Sequence, residues 1–214
     1  MPKSARVPSA EEAPARAKRE AILEAAVREI AGKGVRGFRV EKVAADAGVS
    51  PPLLYYHFAD RHGLIRAALA HAGERAPSSA LRAGVAGANA YEAIGSALAA
   101  EFSDEPGVRD NAVVWGEVAA SAVFDPELRE EAHRVMAAWR SEVAGTIEAG
   151  VAEGSIREDV DAEAAAEILV SLVDGLCTRL LSGDLDEARA RELLRTALAQ
   201  QLAPGREPAA AGSA

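Results

Sequence analysis

Apolar residues recur three or four positions apart along nearly the whole chain, the period of a helix with one buried face. Ile22, Leu23, Ala26, Val27 and Ile30 form such a stripe across 16–33, closed by Gly32 and Gly34. Val40, Val43, Ala44 and Ala47 share one face of a short helix over 40–47, which Gly48-Val49-Ser50 breaks. Ser50-Pro51 reads as a helix start, with the serine hydroxyl accepting an orphan backbone N–H and proline at the first position. That helix ends near His57 or Phe58. Asp60 is a cap for the next, whose Leu64, Ile65, Ala68 and Leu69 repeat to about Gly73. Residues 76–89 read as a linker or weak helix. Five longer segments follow, near 90–103, 106–122, 126–153, 161–182 and 186–202. Asp125-Pro126-Glu127 opens the longest with a cap, a first-turn proline and an acid at the positive dipole end. Gly145, Gly150 and Gly154 weaken its second half. Residues 1–15 and 204–214 are Pro/Ala-rich without periodicity and read as a disordered arm and tail. Strand-like alternation with hairpin signals is missing throughout, so the fold class is all-α.

Composition agrees. Of 214 residues 50 are Ala and only nine are aromatic, a balance that favours helix. The single Cys177 excludes an internal disulfide and any cysteine-based zinc cluster. The first thirty residues hold no continuous apolar segment of the secretory kind. No stretch approaches the roughly 20 apolar residues of a membrane span. The expectation is a cytoplasmic protein with no membrane partner.

Charge changes the picture when it is divided. The total of -9 argues against a nucleic-acid partner, since phosphate contacts need clustered cations. Yet residues 1–75 carry 13 Lys/Arg against 9 Asp/Glu, net +4, and residues 76–214 carry 11 against 24, net -13. That split suggests two modules with different partners, 16–75 and 76–203; Arg-rich helices with solvated faces would give it too, and charge alone does not decide between them.

The cationic module holds the informative stretch. In VEKVAADAGVSPPLLYYHF, residues 40–58, two short helices flank a tight turn at Gly48, a helix-turn-helix. The second helix begins at Ser50 with backbone N–H groups at its positive end, suited to a phosphate. It presents Tyr55, Tyr56 and His57, stiff rings with hydrogen-bonding tips. The adjacent positions Tyr55 and Tyr56 cannot point the same way; Tyr56 is the one expected to touch DNA, and Phe58 is expected in the core. Arg61 follows, and Arg39 and Lys42 lie on the approaching helix.

The run VEKVAADAGVSPPLLYYHFADRHGLIRAAL, with the helix at 16–33, resembles the TetR-type DNA-binding domain, over about residues 16–73. Trp115 through Leu180 resembles, more weakly, the C-terminal domains of the BetI-like branch. The resemblance implies an N-terminal three-helix helix-turn-helix DNA-binding domain followed by a helical ligand-binding and dimerisation domain. It implies Arg39, Glu41 and Lys42 near the backbone, Ser50 at the start of the recognition helix, and Pro51, Pro52 and Leu53 facing bases. Tyr55, Tyr56 and His57 take base and backbone contacts, and Arg61 stands where the family has a phosphate-binding Lys. Three departures stand out. Phe38 and Arg39 replace a common Thr pair, so the hydroxyl cap is lost. Leu53 replaces a polar residue, which suits a thymine methyl. Gly63 replaces a common Glu, removing half of a capping box.

The implied protein is a ligand-responsive regulator, a homodimeric repressor that binds a palindromic double-stranded DNA operator and is released by a small-molecule effector, with no cofactor. Phe102, Trp115, Phe124, His133, Met136 and Trp139 are candidates for the effector pocket, with bundle core as the competing reading. The BetI-like similarity points to quaternary ammonium effectors, which want an aromatic cage; Tyr91 is a further aromatic available for one. The dimer surface is expected on 161–182 and 186–202, through Leu169, Leu172, Val173, Leu176, Leu180, Leu194, Leu198 and Leu202. His57, His62 and His71 lack metal-site spacing. No nucleophile elbow or Gly-rich phosphate loop is present, which speaks against an enzyme. Cys177 has no adjacent His or Lys and reads as a buried, inert thiol. The alternative function is an all-α interaction module or enzyme with a purely structural helix-turn-helix.

Overall fold

The structure, a computed structural model, describes residues 12–75, 81 and 88–203. Among the described residues there are nine helices and no strand: α1 (Glu12–Gly37), α2 (Val40–Asp46), α3 (Pro51–Phe58), α4 (Arg61–Arg75), α5 (Ala90–Ala100), α6 (Pro106–Ala122), α7 (Pro126–Glu153), α8 (Ala162–Leu181) and α9 (Glu187–Leu202). The all-α reading holds. The expected tail, the arm up to residue 11, and nearly all of 76–89 lie outside the described residues.

Most helix starts follow the local chemistry. Asp125 accepts from the N–H groups of Glu127 and Leu128, Asp161 from Ala164 and Asp186 from Arg189. Asn89 and Glu92 form a reciprocal capping box at α5. At α4, Asp60 Oδ1 accepts from Gly63 N at 2.7 Å, so the half of the box that does not need a Glu is kept.

Two elements differ from expectation. Helix α1 begins at Glu12, inside the supposed arm, and passes Gly32 without a break. Its break is at Gly34, φ 69°, ψ 168°. There the Glu117 carboxylate of α6 accepts from Val35 N at 3.1 Å and caps the turn that leads into α2. Helix α7 runs unbroken to Glu153 despite Gly145 and Gly150.

Two cores result. One gathers Ile22, Ile30, Val43, Leu54, Leu64 and Leu69 of α1–α4 and takes in Val114, Val118 and Leu128 from α6 and α7. The other joins α5, α7, α8 and α9 through Ile94, Leu98, Val143, Ile147, Leu169, Val173 and Leu194. Helix α7 therefore serves both, which ties the helix-turn-helix to the rest of the chain. His62 with Asp125, at 3.2 Å, and Arg66 with Glu127, at 2.7 Å, reinforce that seam at its exposed edge.

The two mid-α7 glycines differ in what surrounds them. A Cβ on Gly150 would stand 2.5 Å from Ile156 Cδ1 and 2.9 Å from the Ala90 Cβ, whereas one on Gly145 meets nothing within 4 Å. Gly150→Ala is expected to lose about 1–2 kcal/mol of stability, since overpacking outweighs the better helix propensity. Gly145→Ala is expected to gain up to about 1 kcal/mol. Thermal unfolding of the two variants should move in opposite directions.

Candidate functional site

Helices α2 and α3 meet through a turn in which Gly48 takes φ 64° and Val49 N donates to Ala44 O at 2.9 Å. Val40, Val43 and Ala44 of α2 and Leu54 and Phe58 of α3 face the core. The remaining face is turned outward. Tyr56 is 83% exposed and Tyr55 42%, while Phe58 is buried. Pro51, Pro52 and Ser50 are exposed, and Leu53 and His57 are half-buried. The His57 ring stands edge-on to Tyr56, 5.4 Å between centroids. On α2, Arg39, Glu41 and Lys42 are exposed, and Lys42 Nζ pairs with Asp46 at 2.5 Å. Arg39 precedes α2 without a side-chain cap, as the loss of the hydroxyl implied.

Two expectations for this face need correction. Ser50 makes no side-chain cap, because a cap would serve the N–H of the second or third helical residue. Pro52 has none, and Leu53 N is taken by Ser50 O at 3.1 Å. For the same reason the start of α3 offers a phosphate little backbone N–H. Arg61 is not a free cation either. Its Nη2 donates to Val35 O at 2.5 Å, its Nε to Phe38 O at 3.3 Å, and its guanidinium lies 5.6 Å from the Phe38 ring centroid. It serves the carbonyls that the Gly34 break leaves open at the end of α1.

A cavity of about 340 Å³ lies among α4, α6, α7 and α8. Trp115, His133, Met136 and Trp139 line it together, as their spacing suggested. Phe102 and Phe124 do not. Phe102 is buried in the α5–α9 core and borders a neighbouring cavity; Phe124, 80% exposed, stands on the α6–α7 turn near α1. Tyr91 packs on the α5–α9 core rather than in the cavity. The reason is rotational: 133, 136 and 139 share one face of α7, whereas 102 and 124 follow helix ends whose direction periodicity does not set.

Sequence reasoning missed the cavity's carboxylates, Glu101 and Asp174. Burial, then the nearby Asp174 charge, pushes Glu101 up to about 7. Asp174 keeps contact with solvent on α8, and its partial desolvation pushes it up to about 6, opposed by the Arg140 charge. Asp174 had a visible signal, a lone acid inside the apolar run of α8. The Arg129 guanidinium, also at the cavity, is spent on Ala122 O and Val123 O at 2.9 and 2.8 Å. The Trp139 indole Nε1 is buried without a hydrogen-bond partner. Cys177 borders the cavity with its thiol pushed up to about 12 by burial and by the Glu101 and Asp174 charges, so it is unreactive. Among the described residues no three metal-ligating side chains cluster.

The expected dimer rows are also corrected. Leu169, Val173, Leu176, Leu194, Leu198 and Leu202 are buried within the protomer, and Leu172 and Leu180 are half-buried against the same core. These rows hold α8 and α9 to α5 and α7. The outward face of α8 carries Ala164, Ile168, Ser171 and Gly175 instead.

Residues 22–68 match the family described as bacterial regulatory proteins, tetR family, and residues 90–203 match the BetI-type transcriptional repressor, C-terminal. Among curated relatives, an HTH-type transcriptional regulator BetI of Burkholderia thailandensis is 25% identical over 87% of this chain and 94% of its own. One of Rhizobium meliloti is 24% identical over 76% and 77%. Among solved structures, a protein described as a TetR-family transcriptional regulator from Rhodococcus sp. is 39% identical, with a TM-score of 0.82 over 87% of this chain and 98% of that one. A transcriptional regulator from Saccharomonospora viridis, solved with choline, is 27% identical, with a TM-score of 0.73 over 88% and 98%.

Proposed function

This chain belongs to the TetR family and is a transcriptional regulator rather than an enzyme; from that premise we propose that it is a homodimeric repressor, released from a palindromic operator by a small organic cation held between α4, α6, α7 and α8. It works in the cytoplasm without a cofactor. Among the described residues no helix is long and apolar enough to cross a membrane.

The observation that carries the cationic reading is the cavity's charge. Among the described residues, two indoles and two carboxylates face a space whose one lining arginine is committed to backbone carbonyls. A carboxylate there gains most from a positive ligand, and an indole face attracts one. The choline in the Saccharomonospora viridis regulator supports this. Effector binding alters operator affinity only through differential affinity for two protomer arrangements. The structure offers a direct link: a Cβ on Gly73 of α4 would stand 2.2 Å from Val135 Cγ1, so the last helix of the DNA-binding module rests on the cavity wall.

Two recognition helices per dimer fit half-sites roughly 34–36 Å apart. The test is affinity for the DNA upstream of the chain's own gene across a salt series. Binding should fall steeply with salt as phosphate-bound counterions return. Arg39→Ala and Lys42→Ala should each lower the slope by about one and weaken all sequences alike. Tyr56→Ala should cost about 1–3 kcal/mol and relax sequence preference. Arg61→Ala should leave the slope unchanged and lower the melting temperature. Binding without salt dependence sinks the reading.

A further inference from the structure

A second cavity, of about 280 Å³, adjoins the indole-lined one. Glu101, Ala112 and Cys177 line both, so the two share a wall made of one carboxylate and two small side chains. Beyond that waist the cavity has an apolar strip: Phe102 at the end of α5, Leu180 and Leu181 at the end of α8, and Leu185 before α9. The half-buried Ser103 and the exposed Asp104, Arg109, Asp186 and Glu187 complete its lining. There Asp186 caps α9, and Glu187 pairs with Arg191 at 2.7 Å.

Charge and hydrophobicity are thus arranged in series. The first cavity has the carboxylates and the indoles; the second has an apolar strip beside exposed charged groups. Resting on the cationic reading above, we propose that the two form one bipartite site for an organic cation carrying an extended alkyl chain. The cation sits against Glu101 and Asp174 between Trp115 and Trp139. The chain passes the waist over Ala112 and lies along Phe102, Leu180 and Leu181. A compact cation fills only the first cavity, so chain length is what this regulator reads.

A series from tetramethylammonium through butyl-, hexyl- and octyltrimethylammonium tests it, below micellar concentrations. Binding is followed by calorimetry and by fluorescence of the chain's two tryptophans, both at the cavity. Affinity should climb about fourfold per methylene while the second cavity fills, the ~0.8 kcal/mol of a buried CH2. Ala112→Leu closes the waist: tetramethylammonium should bind within about twofold of wild type, while the climb disappears. Leu181→Trp, filling the second cavity from its far side, should flatten the climb in the same way and guards against a folding defect in the first variant. If tetramethylammonium binds and the wild-type series is flat, the bipartite site is wrong and the cationic reading stands. An equal climb in wild type and both variants also overturns it, because the chain then lies elsewhere. If no member binds, the cationic reading itself falls and takes this inference with it.

Discussion

Glu101→Gln is expected to weaken cation binding by about thirtyfold and to move the rise of affinity with pH to lower pH. The first part follows from what the carboxylate does. A cation brought to about 4 Å from an ionised carboxylate near a protein surface gains up to about 4 kcal/mol, and deleting one partner of such a pair costs about 2 kcal/mol or more. Asp174 remains in the same cavity, so the lower end of that range applies. The second part follows from proton linkage. Burial holds Glu101 at about 7, so a neutral-pH solution keeps much of it protonated before the ligand arrives. Cation binding favours the ionised form and releases a proton, so wild-type affinity rises with pH and levels off above about 8. In the variant only Asp174, at about 6, remains to titrate, and the rise moves to lower pH.

The ligand-free protein should show the opposite trend. A carboxyl whose folded value lies above its unfolded 4.5 makes the folded state bind the extra proton. Its contribution to stability is present at low pH and is lost as pH rises through 4.5 to about 7. Calorimetry in two buffers of different ionisation enthalpy measures the released proton. A pH-independent wild-type affinity would remove Glu101 from the site.

That carboxylate also marks where sequence reasoning ran out. Helices were legible because each apolar stripe is local and each cap lies beside the residues it serves. Tyr56 and Phe58 were separable for the same reason: two positions apart on one short helix, they occupy different faces. What failed depends on distant backbone. Arg61 reads as a phosphate ligand until the break at Gly34 leaves the Val35 and Phe38 carbonyls within its reach. That break is stabilised by Glu117, 82 residues beyond the Val35 N–H it accepts from. Ser50 failed for a nearer reason, the second proline. Glu101 follows the last helical residue of α5, where no period says which way a side chain turns. The indole and methionine positions of α7 did converge, because one helix face sets them together.

The dimer surface failed in the most instructive way, and its correction gives the largest expected effect. The leucine rows of α8 and α9 looked like an interface because a sequence shows that a row is buried and not by what. In the protomer they are consumed by α5 and α7. The opposite face of α8 has small side chains at Ala164, Ser171 and Gly175 around Ile168, which is 47% exposed. A strip of that kind lets two helices approach closely, and a two-fold axis passing at its centre would bring Ile168 against its own symmetry mate. Ile168→Asp is therefore expected to set two like charges against each other in the proposed dimer and dissociate it. Operator affinity should then fall by 10²- to 10⁴-fold, the loss that follows when two tethered half-site contacts become one. The circular dichroism of the variant should stay helical, since Ile168 belongs to neither core. Leu169→Ala, one residue along and fully buried, should do the reverse. It should cost about 2–5 kcal/mol of folding stability and leave the folded fraction dimeric. Sedimentation at micromolar concentration separates the two. A dimeric Ile168→Asp protein that still holds the operator tightly would place the interface on another face.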